Sequence, residues 1–191
     1  MSDTPIAPII DIYWEGPFKN YKEVNEHVTT NERGKNTDYF FYQIYGDHIS
    51  YGKDVLLYIG MTDNEKGGIT SRLKNHNDNW TGGLCSEIKI YIGSYGRFTS
   101  WDNWHKAEYY QKIEDQDLPT IKMLESLLIH AHKPSVNCVS KRSLTELKKQ
   151  PFRLFNTGRR KSLLPELSTT YYTDNPEQLK ILEAQEASSN C

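Results

Sequence analysis

Arg72 and His76 stand four residues apart in "GGITSRLKNHNDNW", residues 67–80. At that spacing they share one face of a helix. A planar guanidinium that can grip the non-bridging oxygens of a phosphate then lies beside an imidazole that can move a proton near neutral pH. Two tyrosines precede them, Tyr45 in "DYFFYQIYG" (38–46) and Tyr58 in "DVLLYIG" (54–60). A phenol can position a water and, as phenolate, take its proton. Its ordinary pKa of about 10 makes it a poor base at neutral pH unless a positive charge such as Arg72, Lys66 or Lys74 stands close. Further along, "DLPTIKMLESLLIHAHKPSVN" (117–137) carries one acid, Glu125, at the edge of an apolar helix face, and closes on Asn137.

Each of these residues also has a purely structural interpretation. Tyr45 and Tyr58 could be cross-strand aromatic packing, His76 a satisfied or surface histidine, and Arg72 a solvated helix charge. Glu125 could be a helix-edge acid paired with Lys122 or His132, and Asn137 only a turn residue.

The elements that must position them follow from local pattern. The stretches 38–46 and 54–60 are aromatic and β-branched, each ends in glycine, and "GDHISYGKD" between them carries turn signals, which predicts an antiparallel hairpin. Ile69, Leu73, His76 and Trp80 recur at helical spacing, with Thr70 or Ser71 as N-cap. "EIKIYIGS" (87–94) alternates Ile88, Ile90 and Ile92 and predicts a third strand. Residues 117–137 make the strongest helix: Asp117 or Thr120 caps it, Pro119 suits the first turn, and Lys133-Pro134 ends it. Residues 1–37 show no clear periodicity and are expected to form an arm packed on the domain. Residues 95–116 are expected to be an insertion.

Tyr-Ile-Gly occurs twice, at 58–60 and at 91–93. Only the first copy has a tyrosine strand upstream and an Arg/His helix downstream. The second is expected to be a structural strand.

The 191 residues, 37% of them hydrophobic, suit one compact domain with extensions. No apolar run reaches membrane-spanning length, and the N-terminus lacks the pattern of a signal peptide, so a cytoplasmic location and no membrane partner are expected. Three cysteines at unpaired spacing argue against a disulfide framework or a zinc ribbon. The net charge of −2 does not point to a polyanionic partner. It conceals a basic segment, however. Residues 140–161 hold Lys141, Arg142, Lys148, Lys149, Arg153, Arg159, Arg160 and Lys161 against the single acid Glu146, and an acidic tail follows Thr173.

The ordered set "QIY", "LLYIGMT", "SRLKNH" and "MLESLLIHAHKPSVN" resembles the GIY-YIG endonuclease superfamily over about residues 38–140. The resemblance implies an α+β fold, a small three-stranded antiparallel sheet flanked by helices, with N- and C-terminal extensions at 1–37 and 141–191. It implies that Tyr45 and Tyr58 are the two motif tyrosines, that Arg72 is the helical arginine and His76 the residue one turn later. It further implies that Glu125 holds the metal, and that Asn137 is the closing asparagine. Gln43 departs from the pattern, standing where the first motif has glycine. One carboxylate with several waters is how Mg²⁺ commonly binds beside a phosphate, and Mn²⁺ may substitute for it; Asp63 and Glu65 are candidate second ligands. Whether Tyr45 or His76 takes the proton from the attacking water stays open at this point.

The implied activity is hydrolysis of DNA to 5′-phosphate and 3′-hydroxyl ends. No zinc finger or helix-turn-helix is visible in the sequence, so recognition of double-stranded DNA is expected from the extensions, above all from the basic segment 140–161. The organisation is most like stand-alone type II restriction enzymes of that superfamily, which favours a homodimer on a palindromic site. A structure-selective repair or mobile-element nuclease, and an inactive DNA-binding protein on a nuclease scaffold, are the alternatives.

Overall fold

The computed structural model describes residues 8–30, 38–62, 68–84, 87–98, 119–138 and 151–173. Among these, the chain runs β1 (Ile9–Phe18), α1 (Tyr21–Thr30), β2 (Phe41–His48), β3 (Gly52–Met61), α2 (Gly68–Asn79), β4 (Lys89–Arg97), α3 (Ile121–His132), β5 (Arg153–Gly158), β6 (Glu166–Ser168) and α4 (Thr169–Thr173). The fold is α+β.

The hairpin and the third strand form as the sequence predicts. β2 pairs antiparallel with β3 on one side and with β4 on the other. The sheet is nevertheless six strands wide rather than three, in the order β3-β2-β4-β1-β5-β6. The expectation of a three-stranded sheet is corrected by the two extensions. β1, from the predicted arm, pairs antiparallel with β4, and β5 then pairs parallel with β1. The physical reason is that β4 has a second edge whose backbone groups need partners, and β1 supplies them. Ile10, Ile12 and Trp14 alternate along β1 and are fully buried, each contributing about 1.5–3 kcal/mol of apolar burial.

Helices cover both faces. On one side, α1 and α2 bury Val24, Val28, Ile69 and Leu73 against Tyr39, Tyr42, Ile44, Ile90 and Ile92. On the other, α3 buries Met123, Leu124, Leu127, Leu128 and Ile129 against Phe41, Tyr45, Ile59 and the β1 and β5 side chains. Alternation along β2 therefore sends Tyr42 to the α2 face and Tyr45 to the α3 face.

Helix ends have identifiable causes. Asn20 precedes α1 and accepts from the backbone N–H groups of Lys22 (2.9 Å) and Glu23 (3.1 Å), while Glu23 accepts from the N–H of Lys19 (2.8 Å), a close relative of the reciprocal capping box. Thr120 caps α3 by accepting from the N–H of Met123, 3.3 Å away. Lys133 ends α3 in the left-handed region at φ 47°, its N–H donating to Ile129 O. Asp117, the other cap candidate, lies outside the described residues. α2 begins at Gly68, so Thr70 and Ser71 lie within its first turn rather than at its cap.

No helix among the described residues is long and apolar enough to cross a membrane.

Candidate active site

β3 is one of the two outer strands of the sheet, and the segment after α3 fastens onto it. The N–H groups of Ser135 and Val136 donate to Leu56 O (3.1 Å) and Leu57 O (2.8 Å). Asn137 completes the clasp: its Oδ1 accepts from the N–H of Ile59 and its Nδ2 donates to Ile59 O, both at 2.9 Å. The side chain thus grips the middle residue of Tyr58-Ile59-Gly60 from both sides. The effect is to set α3, and with it Glu125, at a fixed place beside β3. The Glu125 carboxyl accepts a hydrogen bond from the Met61 backbone N–H, one residue past the tripeptide.

On the α2 side of the same strand, aromatic rings assemble around His76. Tyr58 lies with its ring centroid 4.8 Å from His76, and Tyr42 is stacked on Tyr58 at 6.0 Å with 15° between the planes. Tyr42 is the direct cross-strand neighbour of Gly60. A Cβ at Gly60 would run into the Tyr42 hydroxyl and ring, so the glycine is needed to let the phenol lie across the strand. The Tyr42 hydroxyl is 2.7 Å from His76 Nε2. The Arg72 charge acts on both phenols, drawing Tyr42 and Tyr58 toward their anionic forms. Trp80, just past the end of α2, donates its indole N–H to His76 Nδ1 at 2.8 Å.

The electrostatics link the two sides of the strand. Burial pushes Glu125 up to about 7, against the pull of the Met61 N–H, Arg72 and Lys122. Burial also raises Tyr58, with the Glu125 charge adding to it and Arg72 opposing. Tyr42 is raised above its ordinary value mainly by burial, then by Tyr58, while Arg72 pulls it down. His76 is lowered to about 4, first by burial and then by Arg72. Glu125, Tyr42, Tyr58 and Arg72 therefore lie within one another's fields.

No known family model, curated protein or solved structure matches the chain.

Of the residues singled out from the sequence, Tyr58 and His76 meet, Arg72 and Glu125 act on Tyr58 through their charges, and Asn137 holds the strand that carries Tyr58. Tyr45 does not join them. It is buried on the α3 face, where its hydroxyl donates to Gln43 Oε1 (2.9 Å) and meets Ser162 Oγ (2.8 Å), and burial pushes its phenol up to about 12. Tyr42, not Tyr45, lies against Tyr58 and His76. The signal that marks it is strand alternation, which puts residues 42 and 45 on opposite faces. Lys74 pairs with Asp78 at 2.5 Å on the exposed side of α2. Asp63, Glu65 and Lys66 lie outside the described residues.

The basic segment divides in the same way. Lys141, Arg142, Lys148 and Lys149 lie outside the described residues. The other four bases all have partners within the chain. Arg153 donates to Glu166 at 2.8 Å and lies over the Phe155 ring. Arg159 donates to Gly16 O at 2.7 Å, and Arg160 to Leu163 O. Lys161 pairs with Asp54 and sits 5.3 Å from the centre of the Tyr45 ring.

Among the described residues no three His, Cys, Asp or Glu side chains form a metal-binding cluster. Among the described residues, Glu125 is the carboxylate whose charge reaches the phenol and guanidinium groups. Its raised pKa marks a buried anion short of compensating charge, and a hard divalent cation that keeps most of its waters would supply that charge. The donor set fits such an ion.

Proposed function

We propose that the chain is a metal-dependent DNA endonuclease of the GIY-YIG type, hydrolysing phosphodiester bonds to 5′-phosphate and 3′-hydroxyl ends. The observation that carries this reading is the meeting of Tyr42, Tyr58 and His76 at the outer strand β3, where the Arg72 and Glu125 charges reach the phenols. A phosphodiester resists hydrolysis because it and its attacker both carry negative charge. A site for it must neutralise the phosphoryl oxygens, orient a water and support the leaving oxygen.

Arg72 is exposed on its helix and its charge reaches Tyr42 and Tyr58, so its guanidinium can reach out to the non-bridging oxygens. The stacked pair Tyr42 and Tyr58 orients the water. Tyr42 can take the water's proton only as phenolate, a form that hydrogen bonds donated to its oxygen favour and that burial opposes. Water attacks phosphorus as its proton passes to the phenolate, the bond to the 3′ oxygen breaks with its electron pair, and that oxygen takes a proton from solvent. Mg²⁺ or Mn²⁺ held by Glu125 would supply Lewis acidity at the leaving oxygen and offset the burial that keeps Tyr42 protonated.

A restriction-type role, on double-stranded DNA and as a homodimer, is the finer form of the proposal. Digestion of mixed-sequence DNA followed by end sequencing tests it: one recurring short sequence at the ends supports it, and cuts at branched or flapped DNA alone favour the structure-selective alternative. The activity itself is tested with supercoiled plasmid. Wild type should nick it with Mg²⁺, and Glu125→Ala and Arg72→Ala should not. If wild type cuts no DNA with Mg²⁺ or Mn²⁺, the enzyme proposal is wrong.

A further inference from the structure

Trp80 is tied twice to one residue. Its backbone N–H donates to His76 O at 2.9 Å and its indole N–H donates to His76 Nδ1 at 2.8 Å. The indole lies edge-on to the imidazole, at 5.9 Å and 82°, and 6.1 Å from the Tyr58 ring. An indole nitrogen can only donate. His76 Nδ1 must therefore carry the lone pair, and a neutral His76 must carry its proton on Nε2, the nitrogen 2.7 Å from the Tyr42 hydroxyl. Donation then runs one way, from Trp80 to His76 and from His76 to Tyr42.

We propose that Trp80 is a positioning residue: its indole N–H locks His76 in the Nε2–H form, so that the imidazole donates to the Tyr42 oxygen and cannot remove its proton. The inference builds on the phosphodiesterase reading for its kinetic consequence only. The locked tautomer makes His76 a donor to the Tyr42 oxygen, which with the nearby Arg72 charge favours the phenolate. It also resolves the choice left open by the sequence, because a histidine with Nδ1 occupied and Nε2 protonated has no lone pair to offer the attacking water. The low proton affinity of His76 agrees with this. The groups facing the ring are Arg72 from its own helix, Tyr42 from β2, Tyr58 from β3 and the neutral indole.

Long-range ¹H–¹⁵N correlation on histidine-labelled protein at pH 7 reads the tautomer without any substrate. Wild-type His76 should show protonated Nε2 and bare Nδ1. Trp80→Phe keeps an aromatic ring and removes the N–H together with the pyrrole part of the indole, so an Nδ1–H population should appear. A wild-type His76 protonated on Nδ1 would overturn the proposal, as would an unchanged spectrum in Trp80→Phe. In the plasmid assay Trp80→Phe should lower kcat about 10–100-fold with KM little changed, the usual scale for losing a group that orients a functional histidine. Wild-type kcat in Trp80→Phe would also overturn it, because packing alone would then suffice. Should Trp80→Phe fail to fold, the wild-type spectrum alone still decides the tautomer. Should wild type cut no DNA, the nuclease reading falls while the spectra still judge the lock.

Discussion

Tyr-Ile-Gly occurs at 58–60 and at 91–93, and the two copies do different work. The first lies on the outer strand β3 and the second on the interior strand β4. Their faces are reversed. Tyr58 turns toward α2 while Ile59 enters the core beneath α3. Tyr91 turns toward that core, its ring edge-on to Tyr45 at 5.6 Å, while Ile92 packs under α1 and α2. The glycines also make room for different neighbours. A Cβ at Gly60 would strike the polar Tyr42, and one at Gly93 would lie 2.8 Å from Ile12 and 3.0 Å from Trp14. A tripeptide carries no chemistry by itself. Place in the strand order and choice of face decide whether its tyrosine meets a guanidinium and a carboxyl or another hydrocarbon ring.

The contrast can be broken most forcefully at Glu125, whose charge reaches Tyr58 of the first copy. Glu125→Ala should reduce plasmid nicking about 1,000-fold or more, with circular dichroism unchanged; retained nicking would leave the two copies functionally alike. The same carboxyl gives the next largest effect. It is pushed up to about 7 in the folded chain, so the native state holds its proton more tightly than the unfolded one. Its contribution to stability is full below about pH 4.5 and is lost as pH rises through 7, roughly 3 kcal/mol in all. Without added metal, the Tm of wild type relative to Glu125→Gln should fall across that interval, and Mg²⁺ should restore part of it.

Paired substitutions sharpen the comparison further. Tyr58→Phe and Tyr42→Phe should each cost about 100-fold in kcat, whereas Tyr91→Phe and Tyr45→Phe should leave kcat within about twofold. Equal losses in both pairs would mean that the hydroxyls matter only to folding. The smallest effect belongs to the glycines. Gly93→Ala should destabilise by about 1–3 kcal/mol in urea unfolding, because Ile12 and Trp14 must give way, with activity per folded molecule retained. Gly60→Ala should lower activity by displacing Tyr42.

What the sequence made legible was local. The Thr120 cap, the Lys133-Pro134 stop, the β2–β3 hairpin and the i, i+4 pairing of Arg72 with His76 each depend on neighbours within a turn or a hairpin. Tyr42 was harder to see. Tyr45 and Tyr42 differ by three positions, and which phenol lies against Tyr58 depends on register; the pairing shifts between Ile44 and Tyr45. β1 carried its own alternation in Ile10, Ile12 and Trp14, but its partners β4 and β5 lie far along the chain, and nothing local names them. The same is true of Arg159, Arg160 and Lys161. As a run of bases they suggest a phosphate-binding field, whereas their contacts to Gly16, Leu163 and Asp54 exist only once the strands have met. Trp80 was visible as an apolar ring in a helical stripe, and its N–H acquired a role only when His76 was oriented.

The side-by-side parallel pairing of β1 with β5 has a further outcome for biosynthesis. Ile9 lies opposite Arg153 and Trp14 opposite Gly158, so a nascent polypeptide must emerge through its β5 segment before its first strand gains a companion on that flank. A ribosome stalled ahead of that point would present a bare apolar ribbon edge, ready to recruit a neighbouring molecule. Trimming the chain before residue 151 should thus yield insoluble material, even though the tyrosines, the guanidinium and the acid would all still be encoded.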